Sequence, residues 1–218
     1  MASHIERRMK IGIIGSGNVG GSLGSRWAQG GHTVVFGTRK PDSPEIHDLL
    51  ARAGKNARAA SAAEAAQSSD VLLLATPWEA TREIVQGLGD LSGKTLLDAV
   101  NPLLPQLSGL AVGTNTSAAE QIAQWAPSAR VVKASNTVGA NIMANEDFGG
   151  EKPVLFYCGN DAEAKKVAHQ LAQELGFDAE DAGPLTQARY LEPFAMLWIS
   201  LAYAAGFGRE IAFKFLRR

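Results

Sequence analysis

The run Gly15-Ser16-Gly17-Asn18-Val19-Gly20 stands directly after the apolar stretch Ile11 to Ile14 and opens a helix-compatible segment. Glycines at its first, third and sixth positions permit a tight turn, a close approach of backbone to a pyrophosphate, and close packing of helix on strand. The bound anion then lies at a helix N-terminus, where free N–H groups and the helix dipole favour negative charge. Glycines alone are a weak signal. Here a second apolar run, His32 to Phe36, follows at the distance that a strand–helix–strand unit needs. All six residues from Gly15 to Gly20 are therefore expected to bind a dinucleotide.

The residues after the second strand say which dinucleotide. An NAD-preferring site places an acidic residue about 20 residues beyond the loop, to hold the ribose 2′-hydroxyl. This chain instead reads Gly37-Thr38-Arg39-Lys40. A hydroxyl followed by two cations suits a 2′-phosphate, which a guanidinium grips through several charge-assisted hydrogen bonds. The alternative, that Arg39 and Lys40 are ordinary solvated charges before Pro41, is weaker after a complete glycine loop. Thr38, Arg39 and Lys40 point to NADP(H).

Short β-rich runs alternate with Ala-rich stretches, the order of an α/β protein with helices on both faces of a sheet. Strands are expected at about 10–14, 32–36, 71–75, 95–99, 130–134, 154–158 and 177–180. Ser61-Ala62-Ala63-Glu64 and Ser117-Ala118-Ala119-Glu120 read as capping boxes, and Asp161 starts a helix that runs to Leu175 and closes at Gly176. After Asp181-Ala182-Gly183-Pro184 an amphipathic helix is expected from Thr186 to Ala205, then a short basic helix from Arg209 to Arg218. The fold class that follows is a Rossmann-type, doubly wound, mostly parallel sheet with a small C-terminal helical lobe. Its division is an N-terminal extension or tag remnant (1–8), an NADP-binding domain (9–150), and a C-terminal lobe of two strands plus helices (151–218) that closes the cleft.

In open α/β sheets, ligands bind beyond the carboxyl ends of the strands. Thr76-Pro77-Trp78, Asn101-Pro102 and Ser135-Asn136-Thr137 follow three of the expected strands, and Asn136 is the best placed to approach a nicotinamide. Each segment also suits a turn or helix cap. Carbonyl reduction usually needs a His, Lys or Tyr to move a proton, and none of the four histidines stands at a strand end: His32, His47 and His169 read as surface residues and His4 lies in the extension. Lys133 is the one ionisable group near a candidate site, either as a proton donor or as a structural charge, and Asp98 reads as a buried partner. No catalytic residue and no metal site emerges. Hydride exchange between two stacked rings needs positioning more than a dedicated acid.

With a formal net charge of -1 and 45% hydrophobic residues over 218 positions, the chain reads as a globular protein without a nucleic-acid partner. No apolar run reaches the roughly 18 to 20 residues of a membrane span, so a cytoplasmic location is expected. Cys158, the single cysteine, reads as a buried core thiol. The apolar content of the C-terminal helix exceeds what one sheet face covers, which points to a homodimer.

The Gly15 to Gly20 loop, Thr38-Arg39-Lys40, Thr76-Pro77-Trp78-Glu79, Asp181-Ala182-Gly183-Pro184-Leu185 and the closing Gly208 to Phe215 segment together resemble the NADPH:coenzyme F-420 (F420) oxidoreductase family, from about Lys10 to Leu216. The family is in turn similar to the cytosolic reductase domain of STEAP metalloreductases, in which NADPH reduces a flavin that passes electrons to a metal. The resemblance implies that Ser16, Asn18, Val19, Thr38 and Arg39 bind NADP, with Thr76, Trp78, Asn101, Asn136 and Thr137 near the nicotinamide half. It also implies a second cleft, between the Rossmann lobe and the C-terminal helices, for the small-molecule redox acceptor, F420 or a flavin such as FMN or FAD. Where deazaflavin-using members often carry a His-Thr pair, this chain has Ser135-Asn136-Thr137, closer to the Asn-Thr arrangement of the metalloreductase domains.

Overall fold

In the computed structural model, which describes residues 8–218, one eight-stranded sheet runs through the molecule in the order β3-β2-β1-β4-β5-β6-β7-β8. The extension expected at 1–8 lies, apart from Arg8, outside the described residues. The strands are β1 (Lys10–Ile14), β2 (Thr33–Gly37), β3 (Ala57–Ala60), β4 (Val71–Leu74), β5 (Thr95–Asp98), β6 (Arg130–Ala134), β7 (Val154–Gly159) and β8 (Asp178–Asp181). All pairs are parallel except β6 with β7. Parallel central strands are covered on both faces and so read as continuous apolar runs, which is why β1 and β4 were legible: Ile11 to Ile14 and Val71 to Leu74 are buried residue after residue. β7 and β8 extend the same sheet, β7 turning back antiparallel on β6.

Helices α1 (Asn18–Gln29), α2 (Pro44–Ala53), α6 (Ala140–Ala144) and α7 (Ala162–Glu174) cover one face, closing a core that includes Leu23, Trp27, Leu49, Ile142 and Leu171. Helices α3 (Ala62–Gln67), α4 (Trp78–Gln86), α5 (Ala118–Trp125) and α8 (Ala188–Ile199) cover the other, over Ala66, Val85, Ile122 and Leu191. The helix starts follow the capping chemistry: Ser61 Oγ accepts from the Glu64 N–H at 3.1 Å, Ser117 Oγ from the Glu120 N–H at 3.1 Å, and Asp161 Oδ1 from the Ala164 N–H at 2.7 Å. Gly176 closes α7 with φ +87°.

Three sequence expectations are corrected. Ala57-Arg58-Ala59-Ala60 forms edge strand β3, which no β-rich composition announced; pairing with β2 overrides the weak strand preference of alanine. Residues 209–218 are not helical. Gly206 and Gly208 take positive φ, and the following carbonyls are used elsewhere: those of Arg209, Ile211 and Phe213 accept from Asn141 Nδ2 (2.9 Å), Trp198 Nε1 (2.8 Å) and the Val154 N–H (2.8 Å). The tail is thus a strap fastened to α6, α8 and β7. Finally, His32 is buried rather than on the surface, its Nδ1 accepting from the Met9 N–H at 3.0 Å and its Nε2 facing Glu174 Oε2 at 2.7 Å.

Candidate functional site

The order reverses between β1 and β4, and beyond the carboxyl ends of β1, β2, β4 and β5 a cleft of about 1500 Å³ opens. Its floor is the glycine loop. Gly15 has φ +108°, and a Cβ there would run into the Ala75 carbonyl; a Cβ on Gly20 would strike the carbonyl of Gly15. These two glycines are demanded by the protein's own packing. Gly17 is different. Nothing lies within 4 Å of the point where its Cβ would stand, so the chain itself leaves that space open beside the cleft.

Gly17 also caps α1 without any side-chain hydrogen bond, and the first turn of α1 carries no acidic residue. A helix of 12 residues thus presents its N-terminal N–H groups without a side-chain acceptor of its own. At the end of β2, Thr38 is half-buried, its Oγ1 accepting from the Lys40 N–H at 3.2 Å, while Arg39 and Lys40 project outward on the same cleft. Neither forms an ion pair among the described residues. A bare helix N-terminus and two unneutralised cations on one cavity make a donor set for a dinucleotide with an extra phosphate. The residues present therefore fit NADP(H).

The opposite wall comes from the segments after β4 and β5. Pro77 caps α4, Thr76 Oγ1 and Thr81 Oγ1 are 2.8 Å apart, and Thr81 donates to the Pro77 carbonyl at 2.9 Å. Trp78, the first residue of α4, lines the cleft and stacks on Trp125 with ring centroids 5.4 Å apart. Asn101 reaches the wall as well, and joins it to the layer behind: its Nδ2 donates to the Asn136 carbonyl at 3.0 Å, while Asn136 Nδ2 donates to Asn101 Oδ1 at 3.1 Å and to the Leu191 carbonyl at 3.0 Å.

Of the residues singled out from sequence, Gly15 to Val19, Thr38 to Lys40, Thr76 to Trp78 and Asn101 all line this cleft. Gly20, Pro102, Asn136 and Thr137 do not, and all four are buried. Asn136 and Thr137 nevertheless hold a side-chain oxygen each without a hydrogen-bond partner, next to Ser135, whose φ of +59° is the left-handed region that non-glycine residues avoid.

Sequence reasoning missed Glu192. Lys133 is completely enclosed, its Nζ 3.1 Å from Asp98 Oδ2 and 3.0 Å from Glu192 Oε1, and it also donates to the Val100 carbonyl. Glu192 in turn accepts from the N–H groups of Ala118 and Ala119 at 2.9 and 3.1 Å, at the start of α5. Burial pushes the Asp98 carboxyl up; the two carboxylates outweigh the same burial at Lys133 and raise its ammonium. Lys133 does not line the cleft, so it is a structural charge and not the proton donor that its position near a strand end allowed. The signal for Glu192 was present: with Ala188, Ala195 and Ile199 it recurs on one stripe of α8, where a carboxylate needs a buried partner.

Residues 10–102 match the model of the family described as NADP oxidoreductase, coenzyme F420-dependent. The chain is 30% identical over 207 residues to the F420-dependent NADP reductase of Methanocaldococcus jannaschii, covering 88% of this chain and 92% of that protein. It is 32% identical over 184 residues to the metalloreductase STEAP3 of Rattus norvegicus, covering 84% of this chain but 36% of that protein, so it spans about a third of that relative's length. Among solved structures, a candidate F420-dependent NADP reductase of Arthrobacter sp. FB24 superposes with a TM-score of 0.86 at 32% identity, over 96% of this chain and 100% of that one. With a cleft of this chemistry and relatives of matching length, the chain belongs to the family of coenzyme F420-dependent NADP oxidoreductases.

Proposed function

We propose that the cleft binds NADPH and that the protein passes hydride between NADPH and a deazaflavin (F420) or flavin ring. The observation that carries this reading is the pair of unneutralised cations, Arg39 and Lys40, sharing one cleft with the bare N-terminus of α1. NADPH supplies a hydride, two electrons and a proton nucleus together, to a second ring held against it. The protein's part is placement. The α1 N–H groups and Gly17 hold the pyrophosphate, Thr38, Arg39 and Lys40 the 2′-phosphate, and Thr76, Pro77, Trp78 and Asn101 wall the nicotinamide half, with Asn136 and Thr137 behind them.

The residues that the ends of β4 and β5 bring to the wall, Ala75, Thr76, Ala99, Val100, Asn101 and Leu103, include, among the described residues, no His, Tyr or Lys to protonate a carbonyl. That favours ring-to-ring transfer over reduction of a small carbonyl or imine. On this reading residues 9–150 form the coenzyme half, and residues 151–218 close the acceptor side. The molecule works as a homodimer in the cytoplasm. Among the described residues no helix is long and apolar enough to cross a membrane, and Tyr190, Leu197 and Tyr203 leave apolar surface exposed along the last helix. Stopped-flow mixing of NADPH with F420, FMN and FAD, followed at 340 nm, tests the assignment. Rapid NADPH oxidation with at least one ring acceptor is expected; none with any of them overturns it.

A further inference from the structure

β5 ends at Asp98, and the three residues after it, Ala99, Val100 and Asn101, leave the sheet to line the cleft. Ala99 still reaches the sheet, its N–H donating to the Leu74 carbonyl at 3.0 Å. Beyond it the strand ladder is lost, so the N–H and carbonyl of Val100 must take other partners. Both find them in the buried ionic cluster. The Val100 N–H donates to Asp98 Oδ1 at 2.8 Å, and its carbonyl accepts from Lys133 Nζ. Hydrogen bonds to ionised groups are stronger than neutral ones, and here they hold one residue of the cleft wall from two sides.

The next residue, Asn101, is held from the same direction. Asn136 Nδ2 is shared between Asn101 Oδ1 at 3.1 Å and the Leu191 carbonyl at 3.0 Å, while Glu192, beside Leu191 on α8, stands 3.0 Å from Lys133 Nζ. Two adjacent residues of α8 thus reach the cleft wall through one intermediary each: Glu192 through Lys133 to Val100, and Leu191 through Asn136 to Asn101. Asp98, Lys133 and Glu192 are 0%, 0% and 1% exposed. A cluster so enclosed is weak evidence for stability, because apolar side chains of similar volume often serve a core as well. Apolar side chains would not hold the Val100 N–H and carbonyl.

We infer that Asp98, Lys133 and Glu192 are positioning residues for hydride transfer: they set the Val100–Asn101 backbone against the nicotinamide, so that α8, in the C-terminal part of the chain, fixes the reactive end of the coenzyme. The inference rests on the nicotinamide lying at Asn101, as proposed above. None of the three side chains lines the cleft, so each acts through the wall. A misplacement of about 1 Å at reacting atoms can cost about a hundredfold in rate, which gives a buried hold on two backbone groups a use that stability alone does not supply.

The test is fluorescence titration with NADPH of wild type, Lys133→Met, the isosteric Glu192→Gln and the control Leu171→Ala, which opens a core cavity on α7 outside the cleft. Single-turnover mixing of the NADPH-loaded proteins with F420 and FMN follows. A nicotinamide held against a wall emits more strongly than in free NADPH, and wild type should show that enhancement. Lys133→Met and Glu192→Gln should lose most of it and, with any ring that wild type reduces, transfer hydride about tenfold or more slowly. Their NADPH affinity, supplied by the phosphate contacts, should stay within about threefold of wild type. Leu171→Ala should lose stability and keep both emission and rate. Should Lys133→Met fail to fold, Glu192→Gln decides. Unchanged emission or an unchanged transfer rate in the folded variants overturns the positioning role and leaves the coenzyme cleft standing. So do a loss confined to NADPH affinity, a wild type that binds NADPH without enhanced emission, and an equal loss in Leu171→Ala, which would reduce the effect to general destabilisation. A wild type that reduces neither ring removes the ring-acceptor reading and leaves emission to decide the positioning role. A wild type that does not bind NADPH overturns the cleft reading and this inference with it.

Discussion

On the proposed reading, Arg39 carries the discrimination between coenzymes. A hydrogen bond to a charged group is worth about 1.5–3 kcal/mol, so Arg39→Ala should weaken NADPH binding by about tenfold or more and leave NADH binding nearly unchanged, as read by titration of nicotinamide fluorescence. Equal effects on both would remove Arg39 from the 2′-phosphate site. Its place on the cleft was legible because a cation pair directly after a strand that follows a glycine loop has few other uses. Cys158 was legible as well: it is completely buried, and burial pushes its thiol up to about 12. Alkylation by iodoacetamide at pH 8 should therefore be undetectable by mass spectrometry in the folded protein and complete in denaturant. Asn136 shows the limit of such reading. Its position after a strand marked it for the cleft, yet the left-handed backbone at Ser135 and the bonds to Asn101 and Leu191 set it behind the wall.

At the scale of elements, α8 is anchored to the Rossmann core by charge. Glu192 reaches through to Lys133 on β6 and caps α5, and Arg189 holds Glu120 of α5 with two hydrogen bonds of 2.9 and 2.7 Å. Replacing one partner of a buried ionic cluster leaves the others uncompensated, at a cost of about 3–5 kcal/mol. Lys133→Met should lower unfolding free energy in urea by about that amount; a loss below about 1 kcal/mol would contradict the anchoring role. The Glu120 clamp predicts a pH dependence. The Arg189 hydrogen bonds, foremost, hold the Glu120 carboxyl below its usual value of 4.5. A carboxylate with a depressed folded pKa adds stability that is present above the unfolded value and lost as pH falls through the folded one. Wild type should melt above Glu120→Gln at pH 7, and the gap should close as pH falls below 4.5. A gap that does not narrow as pH falls below 4.5 would contradict the assignment. The partnership of α5 with α8 joins positions about 70 apart in the chain, which no local pattern encodes.

For the whole molecule, the exposed apolar side chains gather late in the chain: Tyr190, Leu197, Tyr203 and Phe207 are 71%, 49%, 56% and 67% exposed. Light scattering should give the mass of a homodimer, and Leu197→Glu with Tyr203→Glu should shift it to monomer; a monomeric wild type would reject the proposal. The C-terminal strap belongs to this scale as well. Its basic composition reads as a helix, but its carbonyls are spent on α6, α8 and β7, and the bonds to α6 and β7 depend on elements far away in sequence.

Taken by itself, the sequence determined the strand–glycine loop–helix unit, the cations that follow β2 and the capped helix starts. All of these arise from interactions within a few residues, where side-chain type and spacing leave little choice. Only the tertiary structure decided that Ala57–Ala60 is a strand, that the tail is a strap and that Glu192 completes a buried ionic cluster. In each case a backbone or charged group takes its partner from a distant element, and burial makes that pairing compulsory.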